Sequence, residues 1–205
     1  MPQIAILTGD IINSKEDASA RWIGILKPFF KQFGQSPGDW EIYRGDEFQL
    51  RLPQESALKA AIQIKALTKQ LKNLDVRLGI GLGEESIRHP KIGESNGTAY
   101  QRSGKTFETL KQYDYSMRIA TGRESYDLGL NLMLALALNF MDSWSQVSAE
   151  IMALILARPE AQQEELAQQL NIRQSAVSQR LKRARKDLVL ELLDYYTQTY
   201  KAPAT

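Results

Sequence analysis

The chain contains no cysteine. Disulfides, thiolate-held zinc and iron–sulfur clusters are thereby excluded, and a reducing cytoplasm suits such a chain. Histidine is almost as scarce: His89 is the only one. A lone imidazole beside Pro90 in a polar loop cannot nucleate a histidine-rich metal site, and it is assigned no role. An excess of charge of one sign is also lacking. Lys and Arg number 26 against 24 Asp and Glu, a net charge of +2. That balance excludes a protein that coats nucleic acid or membrane over its whole surface, while leaving room for a local basic patch. No internal repeat, low-complexity tract or long apolar run is present. The opening MPQIAILTGDII is short, lacks a basic flank and runs into Gly9-Asp10, so it reads as a buried strand rather than an export signal. Leu128 to Trp144 is barely long enough to span a membrane and contains Asn131, Asn139 and Asp142, so it reads as a buried helix.

What is present is an apolar fraction of 43 % in 205 residues, enough for a medium domain carrying a small one. Residues 3–9 read as a strand, and Ala18 to Phe33 as a helix with Trp22, Ile25, Leu26, Phe29, Phe30 and Phe33 on one side. Trp40 to Tyr43 and Phe48 to Leu52 alternate in polarity around Arg44-Gly45-Asp46-Glu47 and predict a hairpin. Ser56 to Leu74 predicts a second helix, Val76 to Leu82 a Gly-rich strand, Ala99 to Lys111 a third helix and Ser116 to Ala120 a last strand. Strand-helix-hairpin-helix-strand is the ferredoxin-like split βαβ plan, so the expected fold is α+β over residues 1–122. Residues 123–145 read as a connecting helix. Residues 146–205 read as an all-α domain of three helices, separated at Pro159 and Asn171.

In that plan the first strand runs antiparallel to the third, which makes Asp10 and Asp46 neighbours. Two carboxylates beyond strand ends, beside a Gly that admits a ligand, suit Mg²⁺ or Mn²⁺. Glu47 ranks below Asp46 because alternation points it the other way. The plainer alternative stays open: Gly9-Asp10 and Gly45-Asp46 are also ordinary turn sequences.

The series TGDIINS, YRGDEFQL and VRLGIGLGE resembles the motif series of the nucleotide-cyclase and diguanylate-cyclase superfamily. The resemblance implies a pair of metal ions held by Asp10, the Ile11 carbonyl and Asp46 against a nucleoside triphosphate. In that superfamily a helix of the form Gly-x-Ala-Val-Asn-x-Ala-Ala-Arg-Leu supplies an Asn for the ribose and an Arg for the phosphates. The matching stretch here starts at Gly97 and puts Gln101 in the Asn place and Lys105 in the Arg place, with Arg102 as an additional cation. A Lys lacks the planar fork of Arg, so phosphate binding is expected and full cyclase activity is not. Across nearly the whole chain, the order of motifs resembles the SatD family, which joins a cyclase-type domain to a DNA-binding one. In the polar loop from Glu84 to Asn96, Arg88 and Lys91 either face a triphosphate or merely solubilise the surface.

Residues 164–186, EELAQQLNIRQSAVSQRLKRARK, resemble a bacterial helix-turn-helix. Leu166, Leu170, Ile172, Val177 and Leu181 supply contacts between two helices, Ala167 lets them approach, and Asn171 tolerates the left-handed turn. Val177, Leu181, Ala184 and Leu188 are expected to face inward. Gln174, Ser175, Ser178 and Gln179 are then left on the outer surface as base-edge candidates. Arg173, Arg180, Lys182, Arg183, Arg185 and Lys186 form a cluster free of acids, as phosphate contacts require. A basic face turned simply to solvent is the alternative.

These readings converge on a cytoplasmic DNA-binding transcriptional regulator, expected as a homodimer, whose first domain senses a nucleotide or phosphorylated ligand. The rival is a metal-dependent cyclase or nucleotidyltransferase with an accessory helix-turn-helix. In that rival Asp10, Asp46, Gln101 and Lys105 would be catalytic.

Overall fold

The computed structural model describes residues 1–14, 19–43, 45–113 and 115–201. The fold is α+β. Its elements are β1 (Gln3–Ile12), α1 (Ser19–Phe30), β2 (Trp40–Ile42), β3 (Glu47–Leu52), α2 (Ala57–Thr68), β4 (Asp75–Glu84), α3 (Thr98–Gln112) and β5 (Met117–Ala120). After them come α4 (Glu124–Met141), α5 (Gln146–Ala157), α6 (Gln163–Leu170), α7 (Gln174–Arg183) and α8 (Lys186–Thr199). The strands form one mixed sheet in the order β2-β3-β1-β4-β5, antiparallel throughout except for the parallel β4–β5 pair.

Strand alternation sorts the side chains onto two faces. Ala5, Leu7 and Ile11 of β1, Phe48 and Leu50 of β3 and Val76, Leu78 and Ile80 of β4 pack with Trp22, Leu26 and Phe30 of α1 and with α2 in one large core. Gly9 lies on this same face. A methyl group there would stand 2.9 Å from the Phe48 ring and 2.7 Å from Leu78, so this glycine makes room for the core rather than for a ligand.

The opposite face is covered by α3, which buries Ala99, Tyr100, Ser103, Phe107 and Leu110. It reaches the sheet through Gly79, Gly81 and Gly83, three alternate residues of β4. A methyl on Gly79 would meet the Phe107 nitrogen at 2.5 Å and the Ser103 carbonyl oxygen at 2.7 Å. Helix backbone therefore rests directly on strand backbone. The contact is fastened by Ser103, whose hydroxyl lies 2.9 Å from the Gly79 carbonyl and 2.7 Å from the Thr8 hydroxyl.

The outer edge of β5 is closed by a side chain. Asn131 of α4 accepts the Ile119 N–H at 2.9 Å and donates to the Ile119 carbonyl at 2.8 Å, occupying the positions of a neighbouring strand. The Asp127 carboxylate accepts the next backbone N–H, that of Thr121.

The helices after β5 share the core of the sheet. The α5 helix lies along α2, where Gln63 donates to the Ala153 carbonyl at 2.9 Å. Lys65 of α2 is fully buried and joins three elements: its ammonium meets Asp75 at 2.7 Å, Asp142 at 2.6 Å and the Ser116 hydroxyl at 3.2 Å. Lys69 adds bonds to Asp75 at 3.0 Å and to the Asp142 carbonyl at 2.6 Å.

Several sequence expectations need correction. Ala18 and Arg44 lie outside the described residues. The first strand runs to Ile12, so Asp10 is a paired strand residue and not part of a turn. The α2 helix stops at Thr68, well before Leu74, and Asn73 takes a positive φ in the turn that follows. Among the described residues four helices rather than three follow Trp144, because Arg185 adopts a left-handed conformation (φ 57°) that separates α7 from α8. This break resets the helical phase. Leu188, expected to face inward, is exposed, and Val189, Leu192, Leu193 and Tyr196 are buried in its stead. Likewise α4 is not buried all round, since Leu128, Leu132 and Leu136 face solvent. Among the described residues no helix is long and apolar enough to cross a membrane.

Candidate functional site

At one end of the sheet, strand register sets Asp10 of β1 opposite both Glu47 of β3 and Arg77 of β4. Directly opposed residues point to the same face, so all three side chains lie on the α3 side. The expectation that Glu47 turns away fails for this reason. Asp10 is buried, and its two carboxylate oxygens receive a bidentate guanidinium, Arg77 Nε at 2.9 Å and Nη2 at 2.6 Å. The hydrogen bond to Asp10 holds the Arg77 guanidinium above its ordinary pKa against the opposing effect of burial, with the charges of Asp10 and Asp46 adding to it. Glu47 is met by Lys111 of α3 at 3.2 Å, and Lys111 also reaches Glu108 at 3.3 Å.

The hairpin tip is tied to β1. Ile11 donates its N–H to the Asp46 carbonyl at 3.2 Å, and the Asp46 carboxylate accepts the Ser14 hydroxyl. Asp10, Ile11 and Asp46 are thus brought together, and Arg77 is the residue that sequence reasoning missed. Its only signal was its place in the same alternate row of β4 as the three glycines.

These carboxylates do not fit a divalent ion as arranged. Both oxygens of Asp10 are taken by Arg77, Asp46 is engaged by Ser14, and the described residues hold no group of three or more His, Asp or Glu placed to bind a metal. Beside them opens a cleft of about 550 Å³ lined by Arg77, Lys111, Tyr113, Tyr115 and Asp142, among others. Asp75 lines it as well, the cations of the cleft are paired with Asp10 and Glu47, and the exposed phenol rings of Tyr113 and Tyr115 offer stacking surface. A wider cleft of about 1040 Å³ lies between α1 and β2, and none of the sequence-predicted site residues lines it.

Gln101 and Arg102 sit elsewhere. The first half of α3 lies over Gly81 and Gly83, and Gly81 is four residues along β4 from Arg77, roughly 13 Å away. Arg102 spends its guanidinium on the Leu82 carbonyl at 2.6 Å and fills the space over Gly122. The Gln101 side chain lies 3.5 Å from Asn96 Oδ1, and Lys105 is exposed between the two regions. In the neighbouring loop, Arg88 pairs with Asp39 at 2.7 Å and Lys91 with Glu94 at 3.6 Å.

The second candidate region is α6 and α7. The helices are joined through Asn171 in the left-handed conformation (φ 51°, ψ 47°), and Ile172 donates its N–H back to the Ala167 carbonyl at 3.0 Å. Leu166, Ala167, Val177 and Leu181 are buried where the two helices meet. Gln174, Ser175, Ser178 and Gln179 are exposed, as are Arg173, Lys182 and Arg183. Among the described residues these seven side chains make no hydrogen bond or ion pair with the rest of the chain. Arg180 differs. It turns toward α5 and pairs with Glu150 at 2.9 Å, a partner that lies before the motif begins. Lys186 leans on its neighbour Asp187 at 3.9 Å, and Arg185 forms the junction with α8.

Compared with known families, residues 3–192 match the model of the SatD family. No curated protein matches the chain.

Proposed function

The chain belongs to the SatD family, and from that premise we propose that it is a DNA-binding transcriptional regulator whose sheet domain senses a nucleotide or another phosphorylated ligand. The observation that carries the reading is the outer face of α7. Four polar side chains of short or moderate length stand free on its first two turns, flanked by the uncommitted cations Arg173, Lys182 and Arg183. In the helix-turn-helix mode, Gln174, Ser175, Ser178 and Gln179 read base edges in the major groove and the cations seat on phosphates.

Fluorescence anisotropy on a pool of duplexes tests the DNA half. Wild type should select particular sequences. The combined change Arg173→Ala, Lys182→Ala and Arg183→Ala should weaken binding to every duplex by about 100-fold and reduce the dependence of log affinity on log salt by roughly 2–3. Arg180→Ala should matter less, because its guanidinium is spent on Glu150. Binding without sequence preference, or unmoved by the triple change, would refute this half.

For the first domain, the order β2-β3-β1-β4 supports the ferredoxin-like, cyclase-like reading, with β5 as an addition. Sensing is favoured over turnover because the first half of α3, which carries Gln101 and Arg102, lies over Gly81 and Gly83, about 13 Å or more along β4 from Arg77. In this reading the phosphates meet Arg77 and Lys111, which exchange part of their bonding to Asp10, Glu47 and Glu108 for the ligand. A nucleotide is accordingly expected to raise the melting temperature without added Mg²⁺, and Lys111→Ala to abolish the rise. A rise that strictly requires Mg²⁺ would restore the metal-held reading at Asp10, Ile11 and Asp46.

A further inference from the structure

Three leucines of α4 lie open to solvent: Leu128, Leu132 and Leu136 are 73 %, 62 % and 63 % exposed. They recur every four residues, on the side opposite the buried stripe of Leu130, Leu134, Ala137, Leu138 and Met141. The neighbouring helix continues this surface. Tyr126 meets Thr199 at 3.0 Å near one end and Trp144 donates to the Ala184 carbonyl at 3.0 Å near the other, so α8 runs antiparallel alongside α4. Leu188 and Tyr195, 49 % and 40 % exposed, precede Thr199 by three turns and one turn of helix. They therefore share the flank of α8 that Thr199 turns toward α4.

Two properties of this face identify its occupant. The first is charge: from Leu128 to Met141 the chain has no charged residue, so α4 meets its own copy without like-charge repulsion, and Glu191 is the charged residue that shares the flank of Leu188 and Tyr195 on α8. The second is size. With 18 residues, α4 is about 27 Å long, and with α8 beside it at roughly 10 Å the face has a footprint on the order of 500 Å². That footprint approaches the about 800 Å² of accessible surface each partner contributes to a stable dimer, and polar residues at the rim supply the remainder. The leucine row is also symmetric about Leu132, as a two-fold interface requires.

We propose that this face binds a second copy of the chain, with α4 antiparallel to the same helix of the other subunit. Leu132 then lies near the two-fold axis, and Leu128 packs against the partner's Leu136. This pairing stands apart from what α7 or the sheet-end cleft binds.

Sedimentation equilibrium of the full chain at micromolar concentration tests it. Wild type is expected at twice 23.2 kDa, and the double variant Leu132→Asp/Leu136→Asp at 23.2 kDa. Self-association should weaken by at least about 100-fold. Because both leucines are exposed within the subunit, the far-ultraviolet circular dichroism of the variant should stay that of wild type. Position is tested separately by Leu132→Cys, since the chain has no cysteine of its own. Mild oxidation should link Leu132→Cys into a covalent dimer and leave Gln35→Cys, exposed on a distant surface, unlinked. A wild-type monomer, as a face reserved for a foreign partner would give, overturns the proposal. So does a dimer unmoved by the aspartates, or equal cross-linking at the two cysteine positions.

Discussion

Gly81→Ala is expected to destabilise the protein by about 3 kcal/mol, a drop of roughly 6–12 °C in melting temperature for a chain of this size. The added methyl group would lie inside contact distance of the Ala99 carbonyl oxygen and the Ser103 nitrogen, and 2.9 Å from the Ser103 Cα. All three are backbone atoms of α3, so no rotamer change relieves the overlap. The helix must lift from β4, and lifting it strips contacts from Tyr100, Phe107 and Leu110 together. Gly104→Ala, the residue immediately after Ser103 on the same helix, is the control. A methyl there meets nothing within 4 Å, and replacing a helical Gly should stabilise by about 0.5–1 kcal/mol. Urea titration of both variants at one protein concentration measures the opposite signs. A Gly81→Ala protein as stable as wild type would mean that α3 does not rest on the strand backbone as described.

Removal of the Lys65 ammonium is the second large effect. Lys65→Met keeps most of the stem that packs in the core but leaves Asp75 and Asp142 facing each other without the buried cation between them. Breaking a fully buried pair from one side costs about 3–5 kcal/mol, and the 18 % and 43 % exposure of Asp75 and Asp142 brings the loss toward the bottom of that range. Lys69, which still reaches Asp75 and the Asp142 carbonyl, should hold the loss near the lower limit. The informative comparison is the double variant Lys65→Met/Asp142→Asn. Neutralising the acid as well should recover part of the loss, because the penalty lies in the stranded carboxylates and not in a missing attraction. Additive losses from the two changes would show that the three groups are not coupled. The cluster joins α2, β4 and the end of α4, so its loss should loosen the helices against the sheet as well as lower overall stability.

The parts of the fold that were legible in the sequence are those set by local periodicity. Trp22, Leu26 and Phe30 recur at helical spacing and do face the core, and Phe48 and Leu50 alternate inward as a strand requires. Asn171 was legible because few residues accept the left-handed turn, and it takes that conformation. What remained hidden depends on partners distant in sequence. Arg77 stands 67 residues from Asp10, and only the strand register makes it the counter-ion. Glu47 was ranked below Asp46 on alternation within its own strand, which carries no information on the cross-strand pairing that sets it opposite Asp10. The α7–α8 break had no signal at all. Arginine seldom adopts positive φ, so the basic run from Arg180 to Lys186 read as one continuous helix and placed Leu188 inside. The outer leucines of α4 were concealed differently, since a helix apolar on every side shows no periodicity by which to tell its two faces apart.

Asn131 has a consequence beyond closing off β5. Its amide consumes the backbone donor and acceptor that Ile119 would otherwise offer, and the Asp127 carboxylate accepts the N–H of Thr121. On that side the outward groups of Ile119 and the N–H of Thr121 are already paired, and β2 on the other offers only three residues. A chain built this way is guarded against growing into fibrils by strand addition. It is therefore through the side chains of its helices, not through its backbone, that one molecule is equipped to recognise another.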